Sequence, residues 1–78
     1  MARRMRFTAD EKIAFKKGVV VEWQNGAHWH EGVIVDEPAR DPEYGWWRVG
    51  VRNTRGNTRT VSPGAYITGE PGKVRLPR

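Results

Sequence analysis

The sequence predicts an all-β domain of five short strands bent into a small barrel, and three observations carry that expectation. The 78 residues hold nine valines and four tryptophans but a single leucine, Leu76, a bias toward side chains that suit a pleated surface over a helix. The segment 46–61, running from Trp46 to Val61, sorts apolar and cationic side chains at a period of two, which describes a β-hairpin with one apolar face and one basic, aromatic face. Tight-turn residues separate such runs at Asn25-Gly26 and Ser62-Pro63-Gly64, and closing so short a sheet into a barrel removes its exposed edges. A chain of this length buries only about 60–65% of its unfolded surface, enough for one core. The expected organisation is a basic arm with a short helix over 1–14, the barrel over 15–68, and a flexible or edge-lying tail over 69–78.

After the arm, Thr8-Ala9-Asp10-Glu11 has the spacing of a helix capping box, which predicts a short helix over 9–15 that stops by Gly18. Ile13 and Phe15 lie two apart, so an extended lead-in is the alternative. Phe15 points into the core either way. Strands follow over 19–23 and 27–36. A two-residue Asn25-Gly26 loop would set Glu22 against Trp29 and Trp23 against His28. A three-residue loop, Gln24-Asn25-Gly26 with Gly26 left-handed, pairs Trp23 with Ala27, Val21 with Trp29 and Glu22 with His28, and is the expected register. Glu31 breaks the alternation, for which a bulge at Gly32 is the expected remedy. Residues 37–45, with two prolines and several acids, read as a solvated connection and a lid. The same register test gives the later hairpin a Thr54-Arg55-Gly56 loop, with Val49 beside Val61, Arg52 beside Thr58 and Arg48 beside Ser62. A turn at 62–65 leads to a closing strand at 66–68. The expected inward set is Val19, Val21, Trp23, Trp29, Val33, Val35, Trp47, Val49, Val51, Val61, Tyr66 and Ile67.

Lys17-Gly18-x-x-Val21, Asn25-Gly26 with Trp29, Gly32-Val33, then Val49-x-Val51-x-Asn53-x-x-Gly56-Asn57 and Val61 resemble the pattern of Tudor, KOW and related SH3-like barrels over roughly residues 15–67. Ser62-Pro63-Gly64-Ala65-Tyr66-Ile67 is similar to the turn into the last strand of SH3 domains. The resemblance implies a five-stranded SH3-like or Tudor-like barrel. The chain lacks the long loop and acidic, tyrosine-rich opening segment with which SH3 domains grip proline-rich peptides. Val51 and Thr54-Arg55 stand where methyl-reading Tudor domains carry cage aromatics. That group of folds serves DNA, RNA, ribosome and protein binders alike, so the fold does not choose a function.

A formal charge of +5 draws the chain toward polyanions or acidic proteins. No apolar run approaches the roughly 20 residues of a membrane span, so the expectation is a monomeric cytoplasmic protein without a membrane partner. On the face opposite the core, the third strand should present Trp46, Arg48 and Arg52, with Arg55 at the hairpin tip. Arginine clamps phosphate and an exposed tryptophan stacks bases. Gly50 between them would let another backbone approach. Lys12, Lys16, Lys17 and the arm residues Arg3, Arg4 and Arg6 extend the positive surface. Arg59 pairs with Val51 in the expected register and contributes only if the hairpin tip overshoots the barrel. The competing reading is an ordinary solvated strand face with a solubilising basic tail.

His28 and His30 share a strand face, but two ligands do not complete a metal site and the chain has no cysteine, so a solvated face beside Glu22 is expected and no metal or cofactor. With one serine, no thiol and no phosphate-cradling glycine motif, no enzyme is expected. Two functions of different class remain. One is a nucleic-acid-binding module for DNA or RNA backbone and bases. The other is an adaptor or small regulator, of phage or bacterial type, that docks on an acidic protein.

Overall fold

The computed structural model describes residues 4–54 and 61–78. One helix, α1 (Ala9–Ala14), precedes five strands: β1 (Val20–Asn25), β2 (His28–Arg40), β3 (Trp47–Asn53), β4 (Tyr66–Gly69) and β5 (Val74–Arg75). They form one sheet in the order β4-β3-β2-β1-β5, with every neighbouring pair antiparallel. The sheet is not closed as a barrel, which corrects the expected closure: β4 and β5 are its two edges, joined in sequence by a turn in which the Lys73 N–H donates to the Glu70 carbonyl.

The helix forms where the capping box placed it. The Glu11 N–H donates to the Thr8 hydroxyl at 3.1 Å while the Glu11 carboxylate accepts from the Thr8 N–H at 2.9 Å, so two of the donors that a helix start leaves orphaned are satisfied. No residue of α1 is buried. Its flanks are the anchors: Phe7 before it and Phe15 after it meet edge to face, 5.8 Å apart, inside the core. That core comprises Phe7, Phe15, Val21, Trp23, Ile34, Val49, Val51 and Val74, with Val19, Trp47, Val61 and Ile67 packed against it. Phe7 and Val74 therefore join from segments read as arm and tail.

The first hairpin overturns the expected register. Its loop is Gly26-Ala27, with Asn25 opposite His28, Trp23 opposite His30 and Val21 opposite Gly32. Gly26, at φ 61, stands at the first central position, where a type II′ turn requires glycine. Relative to the expectation β2 slides by three residues, and an odd slip turns every side chain over. Ile34, not Val33 or Val35, reaches the core, and Trp29 moves to the outer face, where the Arg75 guanidinium lies 3.8 Å from its ring centroid. Glu31 needs no bulge at Gly32, because it already faces outward opposite Glu22, whose carboxylate accepts from Arg75 Nε at 2.8 Å. His28 pairs with Asn25 rather than Glu22, and the His30 ring rests against Trp23.

Residues 37–40, expected in a connection, continue β2 instead. The register between β2 and β3 slips twice, between Ile34 and Asp36 and between Asp36 and Ala39. Pro38 fits in the second slip because β1 pairs only with the first part of β2, so the far part has β3 alone as a neighbour and an edge tolerates the missing donor. On its other side β3 pairs with β4, Val49 with Gly69 and Arg52 with Tyr66. Val49 is therefore not beside Val61, and both sides of β3 are taken. The expected loop residues Arg55 and Gly56, and the partner strand through Arg59, lie outside the described residues. Tyr66 lies on the outer face, 53% exposed, not in the core.

Candidate nucleic-acid interface

The sequence-predicted site residues fall into three places. On the outer face, β3 presents Arg48 and Arg52, four residues and so about 13 Å apart along the strand. The space above Gly50 between them is filled: a Cβ there would meet Tyr66 Oη at 2.5 Å and Asp36 Oδ2 at 2.7 Å. No second backbone can approach at that point, which corrects the expected role of Gly50. Tyr66 donates to Asp36 Oδ2 at 2.7 Å, and partial burial together with that hydrogen bond raises the Tyr66 pKa, with Arg48 working the other way. Arg48 Nε lies 3.4 Å from Asp41 Oδ2. Acids contributed by β2 and its turn thus offset the basic face that β3 shows when read alone. Arg52 is exposed.

Lys16 and Lys17 follow α1. Lys16 Nζ lies 3.8 Å from Glu37 Oε1, and the Lys17 N–H donates to Glu37 Oε2. Both are exposed and belong to the junction between helix and β2. Arg3, Arg55 and Arg59 lie outside the described residues.

The third place is the tip of the β2–β3 hairpin. Asp41 builds it: its Oδ1 accepts from the N–H groups of Glu43 at 2.8 Å and Tyr44 at 2.9 Å, its N–H donates to the Trp46 carbonyl, and its own carbonyl accepts from Gly45. Arg40 Nε adds a bond to the Gly45 carbonyl at 3.0 Å. The N–H of Tyr44 above all, with those of Glu43 and the Arg48 guanidinium, holds the Asp41 carboxyl below its ordinary pKa against some desolvation. On this frame Tyr44 and Trp46 stack with ring centroids 4.8 Å apart and planes 16° off parallel, yet remain 63% and 54% exposed.

Beside the stacked pair runs an open groove of about 220 Å³ lined by Arg4, Met5, Trp46, Trp47, Glu70 and Pro71. Its Arg4 wall is fixed by a two-pronged ion pair with Glu11, Nη2 to Oε1 and Nη1 to Oε2. Although partial burial opposes it, that pair and the capping bonds hold Glu11 ionised below the usual carboxylate range. Lys12 Nζ sits 4.2 Å from the Trp47 ring centroid, a cation at the same hairpin end.

The structure therefore brings Trp46 and Arg4 together, ties Arg48 to the Asp41 that builds the Trp46 turn, and leaves Arg52, Lys16 and Lys17 apart from them. Sequence reasoning missed Tyr44, Met5, Trp47 and Pro71 as members. Only Tyr44 carried a signal, as an aromatic two residues before Trp46 across a glycine. Met5 and Pro71 are brought in by folding, while Trp47, next to Trp46 in sequence, belongs to the expected inward set and does also pack against the core. Among the described residues no group of three or more His, Cys, Asp or Glu side chains is placed to hold a metal, and no helix is long and apolar enough to cross a membrane. No protein-family model matches the chain, and neither the curated proteins nor the solved structures contain a match to it.

Proposed function

We propose that the chain is a small basic module that binds nucleic acid, DNA or RNA, through the Tyr44–Trp46 platform. The observation that carries this reading is the stack itself. Two large rings already in contact stay more than half exposed on a turn held by Asp41, so the fold spends rigid structure on presenting aromatic surface to solvent. Stacking on such a surface is worth about 1–3 kcal/mol per base and tolerates any sequence. Arg4, Lys12 and Arg48 surround the platform and suit phosphate oxygens, while Arg52 serves a strand that continues along β3. The reading includes a monomer in the cytoplasm, and an SH3-like architecture opened into a curled sheet whose edge strands are consecutive in sequence.

Tryptophan fluorescence titrated with single-stranded DNA, duplex DNA and RNA at two salt concentrations tests it. Quenching that weakens with salt is expected, together with its loss in a folded Tyr44→Ala, Trp46→Ala double variant. A double variant that binds as tightly as the parent overturns the platform. The adaptor reading would instead show itself as a complex that survives nuclease treatment and dissociates when the same rings are removed.

A further inference from the structure

We infer that the groove between Trp46 and Met5 takes one unpaired base, so that the ligand is a single strand and not a duplex; this rests on the nucleic-acid reading above. The groove's volume of about 220 Å³ falls below the roughly 300 Å³ at which sites for whole drug-sized ligands begin, so it suits one planar group. Its walls have the chemistry of a base slot. Trp46 and Trp47 supply rigid rings, Pro71 apolar surface, and Met5 a polarizable thioether of the kind that sits well against an aromatic face. Tyr44 stacks on Trp46 but does not line the groove, so the platform and the slot are adjacent and both use the one ring.

Charge says which part of a nucleotide enters. Glu70 and Arg4 both stand among the walls, so the lining carries no net charge and offers a phosphate little to hold. Cations stand at its margin, Arg4 on the wall and Lys12 over Trp47, where a backbone would pass with its base turned inward. A base paired in a duplex shows only its edges, so its face reaches a ring only when it is unpaired or flipped out. The slot thereby separates single strands from duplex without reading sequence.

Met5 is the residue to change, because it is 71% exposed and its side chain is not needed by the core. The probes are a thymidine homopolymer of about 10 nucleotides, within the span of a small module, and its duplex with the complementary strand, both followed by tryptophan quenching. The single strand should bind about tenfold or more tighter than the duplex, and Met5→Ala should weaken it about threefold to tenfold while leaving the duplex value alone. Ile13→Ser, on the exposed face of α1, should change neither. Equal affinity for both forms with a silent Met5→Ala overturns the base slot and leaves the wider nucleic-acid reading standing. Binding of neither form overturns both.

Discussion

Asp41 and Gly32 show how much of this molecule depends on single side chains, one by what it accepts and one by what it lacks. The Asp41 carboxylate accepts two backbone N–H bonds and faces Arg48, and its folded pKa lies below the ordinary value. A depressed folded pKa means that the ionised form stabilises the fold. The contribution is complete above the unfolded pKa and is lost as pH falls through the lowered one. The platform turn should therefore loosen on acidification below the ordinary carboxylate range, seen as a falling melting temperature and altered tryptophan emission. Asp41→Asn, which offers a neutral carbonyl to the same N–H groups, should flatten that part of the profile. It should not flatten all of it, since Glu11 is depressed as well and contributes with the same sign. Gly32 is tighter still: a Cβ there would lie 2.4 Å from Val51 Cγ1, 2.9 Å from the Arg52 carbonyl and 3.1 Å from Trp23 Cδ1. Gly32→Ala should cost about 1–3 kcal/mol through overpacking, read as a lower urea midpoint at unchanged slope.

At the scale of elements, α1 is too short to persist alone and depends on its cap and on the phenylalanines that flank it. Thr8→Ala removes the Glu11 acceptor and should cost about 1 kcal/mol, with hydrogen exchange rising at Glu11 and Lys12 before it rises in the sheet. This helix was legible because a capping box is local: four consecutive residues contain the whole interaction. Val21, Trp23, Val49 and Val51 were legible for a similar reason, since alternation within one strand marks a face. What local pattern cannot decide is how two strands align. Crediting Trp29 to the core made a three-residue loop look better, because nothing near Trp29 in sequence shows that Arg75 will cover its ring from the other end of the chain. Phe7, Val74, Met5 and Pro71 were missed for the same cause, each lying in a segment whose composition reads as arm or tail and whose burial or place in the groove comes from partners far off in sequence.

The whole molecule is compact without closing its sheet. Its radius of gyration, 11.9 Å, is close to the roughly 11.5 Å expected of a folded chain of this length, because Phe7 and Phe15 plug the core and β5 returns to β1. Its charge is distributed in the same economical way. Among the described residues, acids from β2 and its turn hold Arg48 and screen the outer face, and Glu37 holds Lys16, so the basic side chains there are offset rather than gathered in one stripe. A ligand gripped by such a surface should meet few strong phosphate contacts and depend heavily on stacking. With about three cations engaged, Arg4, Lys12 and Arg48, the logarithm of the binding constant for a single strand should fall with the logarithm of salt at a slope near −2, about −0.7 for each phosphate neutralised. Arg48→Gln should reduce that slope by roughly 0.7 and weaken binding evenly across sequences, whereas Trp46→Ala should lower affinity and leave the slope unchanged. The two variants thus separate the charge contribution from the stacking contribution by titration at several salt concentrations. A parent slope near zero would remove phosphate from the interaction and turn the Tyr44–Trp46 platform toward a protein partner.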